Sequence, residues 1–261
     1  MKAVARGAIA ALLLITPALG ARAEDASNLS SPPPAIAPPV RPGIGTHDAR
    51  LREDPNSVPW RAIGKIQIAA ASWLSSCTGA LVGPALVLTA AHCVFNEHVG
   101  QFYRPAAVHF LIGADGDNYA GHAQVVSFIT GARYEHAHPA QSLGSDWALL
   151  TLDTKLGTPD RVLALSDIVP AIGTPVMVGG YSEDRRYILT ADQDCRVTGI
   201  ARDGNDTRVL RHSCTGTRGV SGAPLLVEDH GTWRVGGIAV AAQLGASIGY
   251  AAILDEVRKH L

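Results

Sequence analysis

Gly219-Val220-Ser221-Gly222-Ala223-Pro224, late in the 261-residue chain, encloses a serine between two glycines. Far upstream, Thr89-Ala90-Ala91-His92-Cys93 presents a histidine at the end of an apolar run, and Asp146-Trp147-Ala148-Leu149-Leu150 lies between the two stretches. Serine, histidine and aspartate are the components of an activated nucleophile, and their order along the chain differs between folds. The three stretches together predict nucleophilic catalysis and narrow the choice of fold.

Each of the three residues has an ordinary structural interpretation when it is taken alone. His92 ends an apolar run, Asp146 opens another, and Ser221 lies in a glycine turn. In combination, the Asp146 carboxylate would fix the imidazole tautomer and stabilise the imidazolium that forms during catalysis. We expect the amides of Gly219 and Ser221 to form an oxyanion hole, because the glycines let the backbone approach the substrate.

The motifs resemble those of the chymotrypsin/trypsin-like serine peptidases. That family has TAAHC around its histidine, D-x-A-L-L around its aspartate and G-x-S-G-x-P around its nucleophile, in the same order. The resemblance extends from about Trp60 to the C-terminus. Pro59-Trp60 followed by Ile63, together with Val178-Gly179-Gly180-Tyr181, is similar to the bacterial glutamyl-endopeptidase-like branch.

The resemblance implies a serine endopeptidase that hydrolyses protein or peptide substrates through an acyl-enzyme intermediate. His92, Asp146 and Ser221 would form its catalytic triad. The chemistry implies no metal and no cofactor. A second hypothesis stays open, namely a peptidase-like domain that recognises proteins without cleaving them.

Short apolar runs rich in Val, Ile, Leu and Thr recur after Pro59, most of them between Gly, Pro, Asn or Asp residues. Such runs, without long amphipathic helical patterns around them, are typical of antiparallel sandwiches and barrels. The 157–174 stretch separates two series of similar length. We therefore predict an all-β fold of two packed six-stranded antiparallel Greek-key β-barrels. A short C-terminal helix is predicted from apolar residues at helical spacing, namely Ile253, Leu254, Val257 and Leu261.

The N-terminal region has the composition of an export signal. Lys2 and Arg6 flank the start of an apolar stretch, and Ala21-Arg22-Ala23 supplies a small-x-small cleavage pattern. Six prolines follow within residues 31–42, a composition that favours extended polyproline conformations. The predicted organisation is a signal peptide at 1–23, a Pro-rich linker or propeptide at 24–56, an N-terminal β-barrel at 57–165, and a C-terminal β-barrel with the terminal helix at 166–261.

The formal net charge of −1 argues against nucleic-acid binding. No segment after the signal is long and apolar enough for a membrane span. We expect the protein to be secreted or periplasmic after a cut behind Ala23. We also expect it to be a monomer. Four cysteines in an exported chain predict two disulfides. Of the three pairings, we choose the short-loop bridges Cys77–Cys93 and Cys195–Cys214, the first of which also matches the family. No regular Cys/His spacing favours a zinc site.

The sequence departs from the family at the activation switch. Trypsin-like zymogens are activated when a new N-terminal amine pairs with an aspartate directly before the nucleophile. Val220 occupies that position here and cannot accept such a pair. We therefore expect no activation through that salt bridge, and a zymogen that is trimmed after Arg41 or Arg50 stays an open alternative.

Specificity in this family depends on the segment before the serine and on a later strand. The matching pocket residues are Thr215, Gly216, Thr217, Arg218, Ala239, Val240 and Ala241. An apolar wall with hydroxyls at its base predicts a small or medium neutral side chain before the scissile bond, whereas Arg218 at the rim would favour an acidic one. Five other histidines are interpreted as structural or exposed: His98, His109, His122, His212 and His230.

Overall fold

The computed structural model describes residues 40–69 and 74–261. The predicted signal peptide and the first part of the predicted linker lie outside these residues. The strands are β1 (Leu51–Arg52), β2 (Ile63–Ala69), β3 (Leu74–Gly83), β4 (Leu86–Thr89), β5 (Phe95–Asn96), β6 (Gln101–Phe102), β7 (Val108–Ile112), β8 (Gly121–Thr130), β9 (Ala148–Leu152), β10 (Pro175–Gly180), β11 (Thr190–Arg202), β12 (Arg208–His212), β13 (Pro224–Asp229), β14 (Thr232–Ala242) and β15 (Gly249–Ala252). Short 3-10 helices lie at Trp60–Ala62, Ala91–Val94, Pro105–Ala107, Pro139–Gln141, Leu143–Ser145, Glu183–Arg185 and Val257–His260.

Six antiparallel strands close into an N-terminal barrel in the order β2-β3-β4-β9-β8-β7. Along β7, side chains alternate between the buried interior and a half-buried face, because successive residues of a strand point to opposite sides. Ile66, Leu88, Phe110 and Leu150 fill the interior. β5 and β6 form a separate two-stranded hairpin.

The remaining strands form a second barrel with its own hydrophobic core. The order is β11-β10-β13-β14-β15-β12, and pairing of β12 with β11 closes the ring. β1 pairs with β11 as an additional strand. Val176, Val197, Leu210 and Leu225 are among the residues of the second core. The prediction of an all-β fold with two six-stranded antiparallel barrels is confirmed.

The C-terminal helix is shorter than its sequence pattern indicated. Ile253 and Leu254 are buried before any helix begins, and helical structure is confined to the 3-10 turn Val257–His260. Ile253 and Leu254 are apolar because they pack into the core as non-helical chain, so their spacing does not mark the face of a helix.

Residues 40–56, part of the predicted linker or propeptide, contact the C-terminal barrel. Leu51 of β1 lies opposite Ala191 of β11, and Pro42 forms an isolated β-bridge with Leu244. The domain boundaries stay a prediction, but the described part of this segment is integrated into the fold.

The four cysteines form the two predicted disulfides, Cys77–Cys93 and Cys195–Cys214. Cys77 lies in β3 and Cys93 in the 3-10 helix that carries His92, so the first bridge attaches that helix to the barrel wall. Within 40–69 and 74–261, we find no helix with the length and apolar character to cross a membrane.

Candidate active site

His92 and Asp146 meet because they lie at adjacent ends of two paired strands. β4 and β9 are antiparallel neighbours, with Thr89 opposite Ala148. His92 lies in the 3-10 helix Ala91–Val94 that follows β4, and Asp146 comes two residues before β9. The end of one strand and the start of the next are therefore side by side, although the two residues are 54 positions apart in the sequence.

The Asp146 carboxylate holds His92 at two points. Nδ1 of the imidazole donates to Oδ2 at 2.7 Å, and the His92 amide donates to Oδ1 at 2.9 Å. A carboxylate accepts and does not donate, so Nδ1 carries the proton and Nε2 keeps its lone pair in the neutral ring. Burial opposes protonation of His92, but the charge of Asp146 and its hydrogen bond outweigh burial and raise the pKa of His92.

Ser221 lies in a turn before β13 that requires glycine on both sides. Gly219 has φ +91° and Gly222 has φ +79°, in the left-handed region that favours glycine. A Cβ on Gly219 would lie 2.3 Å from the Tyr181 carbonyl oxygen. The turn is therefore packed closely against the chain that follows β10, with no room for a side chain at Gly219.

Thr78, which no sequence motif indicates, fixes this turn from the N-terminal barrel. Its amide donates to the Ser221 carbonyl at 2.9 Å, and its hydroxyl donates to the Gly219 carbonyl at 2.8 Å. The same hydroxyl accepts from the Tyr181 amide at 3.0 Å. Thr78 is fully buried, so water does not replace these bonds. The hydroxyl thus links the turn, the β10 end and the β3 wall.

The peptide groups before Gly219 and Ser221 are also held in one orientation. The Glu183 amide donates to the Arg218 carbonyl at 2.7 Å, and the Ala223 amide donates to the Val220 carbonyl at 2.8 Å. In a trans peptide the N–H points opposite to the C=O, so fixing these two carbonyls also fixes the directions of the Gly219 and Ser221 N–H groups. Neither amide donates to any residue that the structure describes. Two oriented N–H donors therefore remain for a ligand at this turn.

A buried arginine connects the N-terminal segment to the helix beside this turn. Arg50 donates to both carboxylate oxygens of Asp184, at 3.0 and 2.8 Å, and to both of Asp48. Burial opposes the charge of Arg50, but the hydrogen bonds and charges of both carboxylates outweigh burial and raise its pKa. Asp184 belongs to the helix Glu183–Arg185, whose first amide orients the peptide before Gly219. The ion cluster therefore fixes the helix Glu183–Arg185, which in turn holds the nucleophile turn.

Val220 has the surroundings of a core residue. It is buried in the hydrophobic cluster of the C-terminal barrel. No carboxylate is present at this position for an N-terminal amine to pair with, and the Arg50 cluster stabilises the adjacent helix instead.

A cavity of about 100 Å³ lies beside Ser221. Six of the seven predicted pocket residues line it, namely Gly216, Thr217, Arg218, Ala239, Val240 and Ala241. Thr215 is not among the lining residues; it is buried, and its amide donates to Asp192 Oδ2 at 2.8 Å. The structure therefore brings most of the predicted pocket segment to the nucleophile turn.

Some residues of the cavity wall belong to no sequence motif that predicts a site. Pro42, His212 and Gly249 also line it, and the Gly216 amide donates to the Gly43 carbonyl at 3.2 Å. Pro42 belongs to the Pro-rich segment, whose composition indicated no site. His212 was interpreted as structural or exposed, because a lone histidine carries no sequence signal of a pocket.

His92 lies between two larger clefts. One, of about 580 Å³, is shared with Gly219 and Ser221. The other, of about 620 Å³, is shared with Asp146 and Leu143. His92 thus borders both clefts.

The fold and this site define a chymotrypsin-like two-barrel protein. The family model described as Trypsin matches residues 50–259. The chain belongs to the Trypsin family, and the resemblance predicted from the three motifs is confirmed.

Two curated relatives illustrate the similarity. The chain is 26% identical over 199 residues to a glutamyl endopeptidase of Bacillus licheniformis, which covers 75% of this chain and 58% of that protein. It is 25% identical over 126 residues to trypsin eta of Drosophila erecta, which covers 47% of this chain and 46% of the relative. The chain thus spans less than two thirds of either relative.

Solved structures share the fold. A Glu endopeptidase in complex with MPD superposes with a TM-score of 0.66 at 20% identity, covering 80% of this chain and 92% of that chain. A thermostable serine protease, AL20, from an extremophilic microorganism superposes with a TM-score of 0.60 at 18% identity, covering 77% and 94%.

Proposed function

We propose that this protein is a serine endopeptidase that hydrolyses peptide bonds in protein substrates through an acyl-enzyme intermediate. The observation that carries the proposal is the His92–Asp146 pair at a cleft shared with Ser221. Because Nδ1 donates to Asp146, Nε2 is the nitrogen left to act as a base. Membership of the Trypsin family supports the same class of reaction.

The proposed reaction begins when His92 Nε2 accepts the Ser221 hydroxyl proton and Ser221 Oγ attacks the substrate carbonyl carbon. Asp146 stabilises the imidazolium. The amides of Gly219 and Ser221 donate to the oxyanion, and removal of one such donor raises the barrier by about 3 kcal/mol. The imidazolium then gives its proton to the leaving amine, and the C–N bond breaks. His92 next takes a proton from water as the water oxygen attacks the ester carbon. The C–Oγ bond then breaks, the imidazolium returns its proton to Ser221 Oγ, and the carboxylic acid product leaves.

We also propose that the protein is exported and that its signal peptide is residues 1–23. Two disulfides, one in each barrel, support an oxidising compartment. The strand sets support barrels at about 57–165 and 166–261. Of the proposed linker at 24–56, the part that carries Asp48 and Arg50 stays with the mature protein, since these residues form the ion cluster with Asp184. Mass spectrometry of the exported protein tests this, and a mature start after Arg50 contradicts it.

The test of the enzymatic proposal uses the exported protein, its trimmed form and Ser221→Ala. Each is incubated with a fluorophosphonate probe and with a peptide library. We expect labelling and cleavage by the protein and neither by the variant. If neither form of the unsubstituted protein labels or cleaves, the proposal is wrong, and peptide binding by both forms would then identify a binding module.

A further inference from the structure

His212 is a buried histidine in the wall of the cavity beside Ser221. It ends β12, is 3% exposed, and lies opposite Gly249 of β15. A Cβ on Gly249 would lie 2.2 Å from His212 Cε1 and 2.6 Å from Nε2. The ring therefore occupies the space that the glycine leaves, and both residues line the cavity.

The hydrogen bonding of His212 determines its tautomer. The Cys214 amide donates to Nδ1 at 3.2 Å, so Nδ1 carries no proton. Burial lowers the pKa of His212 to about 4, and the ring is therefore neutral near pH 7 with its proton on Nε2. Nε2 is buried and has no hydrogen-bond partner in the described part of the chain. A buried donor without an acceptor is unfavourable, so a ligand with an acceptor gains affinity here.

The surroundings favour an uncharged acceptor over a carboxylate. Ala239 and Ala241 give the wall small apolar side chains, and the charged lining residue, Arg218, is exposed. The buried Asp192 carboxylate accepts from the amide of Thr215, which follows Cys214 in the same wall segment. A ligand carboxylate in this cavity would lose its hydration in exchange for one neutral donor, which is unfavourable. An amide oxygen loses less on desolvation and accepts the same hydrogen bond.

We propose that His212 is a specificity-determining residue whose Nε2–H donates to an uncharged acceptor on the side chain before the scissile bond, as in glutamine. This inference rests on the proposed function, because it takes Ser221 as the nucleophile. An apolar side chain of similar length leaves Nε2–H unpaired and is processed more slowly.

The test compares peptides that differ only in the residue before the scissile bond: glutamine, glutamate, norleucine and lysine. For the unsubstituted protein we expect kcat/KM for glutamine to exceed that for norleucine and for glutamate by at least about tenfold. Equal rates for glutamine and norleucine overturn the role of His212 whether or not any variant folds. Faster cleavage after glutamate overturns the choice of an uncharged side chain.

His212→Asn separates specificity from folding. The side-chain oxygen of the introduced asparagine can accept from the Cys214 amide in place of Nδ1. The asparagine lacks Nε2–H. We expect the glutamine-to-norleucine ratio of kcat/KM to fall to about 1. A proportional loss for both peptides indicates a structural role and overturns the proposal. His122→Asn, the same substitution at an exposed histidine of the other barrel, should keep the original ratio.

Fluorophosphonate labelling distinguishes failure of this inference from failure of the proposed function. A protein that labels at Ser221 and cleaves peptides without the expected preference is a serine peptidase in which His212 does not select the substrate. A protein that neither labels nor cleaves refutes both statements.

Discussion

Replacing Thr78 by valine removes the hydroxyl that links the nucleophile turn to the first barrel. The Gly219 carbonyl loses its donor and the Tyr181 amide loses its acceptor. Each hydrogen bond contributes about 1 kcal/mol net, and each buried group left unpaired costs about 1–3 kcal/mol. Valine retains the branched shape, so no large cavity opens. We expect the free energy of unfolding to fall by about 2–4 kcal/mol, measured by urea denaturation.

The same substitution should reduce catalysis more than substrate binding. The Gly219 carbonyl loses the bond that holds the Gly219–Val220 peptide, so this peptide rotates more freely. Because that peptide lies between the Gly219 and Ser221 amides, we expect both amides to be less well fixed relative to the developing oxyanion. Complete loss of one oxyanion donor lowers kcat by about 10²–10³-fold, which sets the upper limit. We expect kcat to fall at least about tenfold with a smaller change in KM, measured on a peptide substrate.

Two control variants separate orientation of the turn from stability. Thr78→Ser keeps the hydroxyl and should retain most of the activity. Thr89→Val removes another buried hydroxyl, which donates to the Thr78 carbonyl at 2.7 Å and has no hydrogen bond to Gly219 in the described part of the chain. It should lose stability with a smaller effect on kcat. If Thr78→Val is destabilised but keeps full kcat, the hydroxyl does not orient the turn and the reasoning is refuted.

Other perturbations test the remaining parts of the site. Asp146→Asn should lower kcat by about 10⁴-fold. His92 must be unprotonated to act as a base, so kcat/KM falls as pH drops through its raised pKa, and loss of the Asp146 charge should move that midpoint to lower pH; an unmoved midpoint in a pH–rate profile would contradict this. Gly219→Ala should lower kcat at least about tenfold, since its Cβ meets a carbonyl oxygen. Arg50→Met leaves Asp184 without its buried partner and should cost about 3 kcal/mol in urea denaturation; an unchanged midpoint would show that the cluster does not stabilise the fold. Reduction of both disulfides should lower stability by about 2–5 kcal/mol per bridge, and an equal melting temperature with thiols shown to be free would refute this.

The motifs were recognisable because their physical requirements are local. Glycines around Ser221 permit a turn that few other residues adopt, and small residues before His92 allow close packing of the backbone. The strand pattern is also local, since short β-branched and apolar runs between turn residues indicate barrels without any knowledge of their pairing. The predicted C-terminal helix was too long by at least Ile253 and Leu254. Over so few positions, apolar residues that are buried in non-helical chain can have the same spacing as one face of a helix.

The supporting residues were not recognisable, because their roles depend on partners distant in the sequence. Thr78 is 141 positions from Gly219, and Arg50 is 134 positions from Asp184. Threonine and arginine occur in many surroundings, and only the packing of strands decides that these two side chains are buried and fully hydrogen-bonded.

The amino-acid sequence by itself determined the family, the all-β class and the three candidate catalytic residues, since each follows from residue types at short spacing. The tertiary structure alone decided which backbone amides find no partner among the described residues, and that His212, whose buried Nε2 also has none there, lines the cavity. Burial and hydrogen-bond pairing belong to the packed chain, because they depend on groups that the sequence separates and the fold brings into contact.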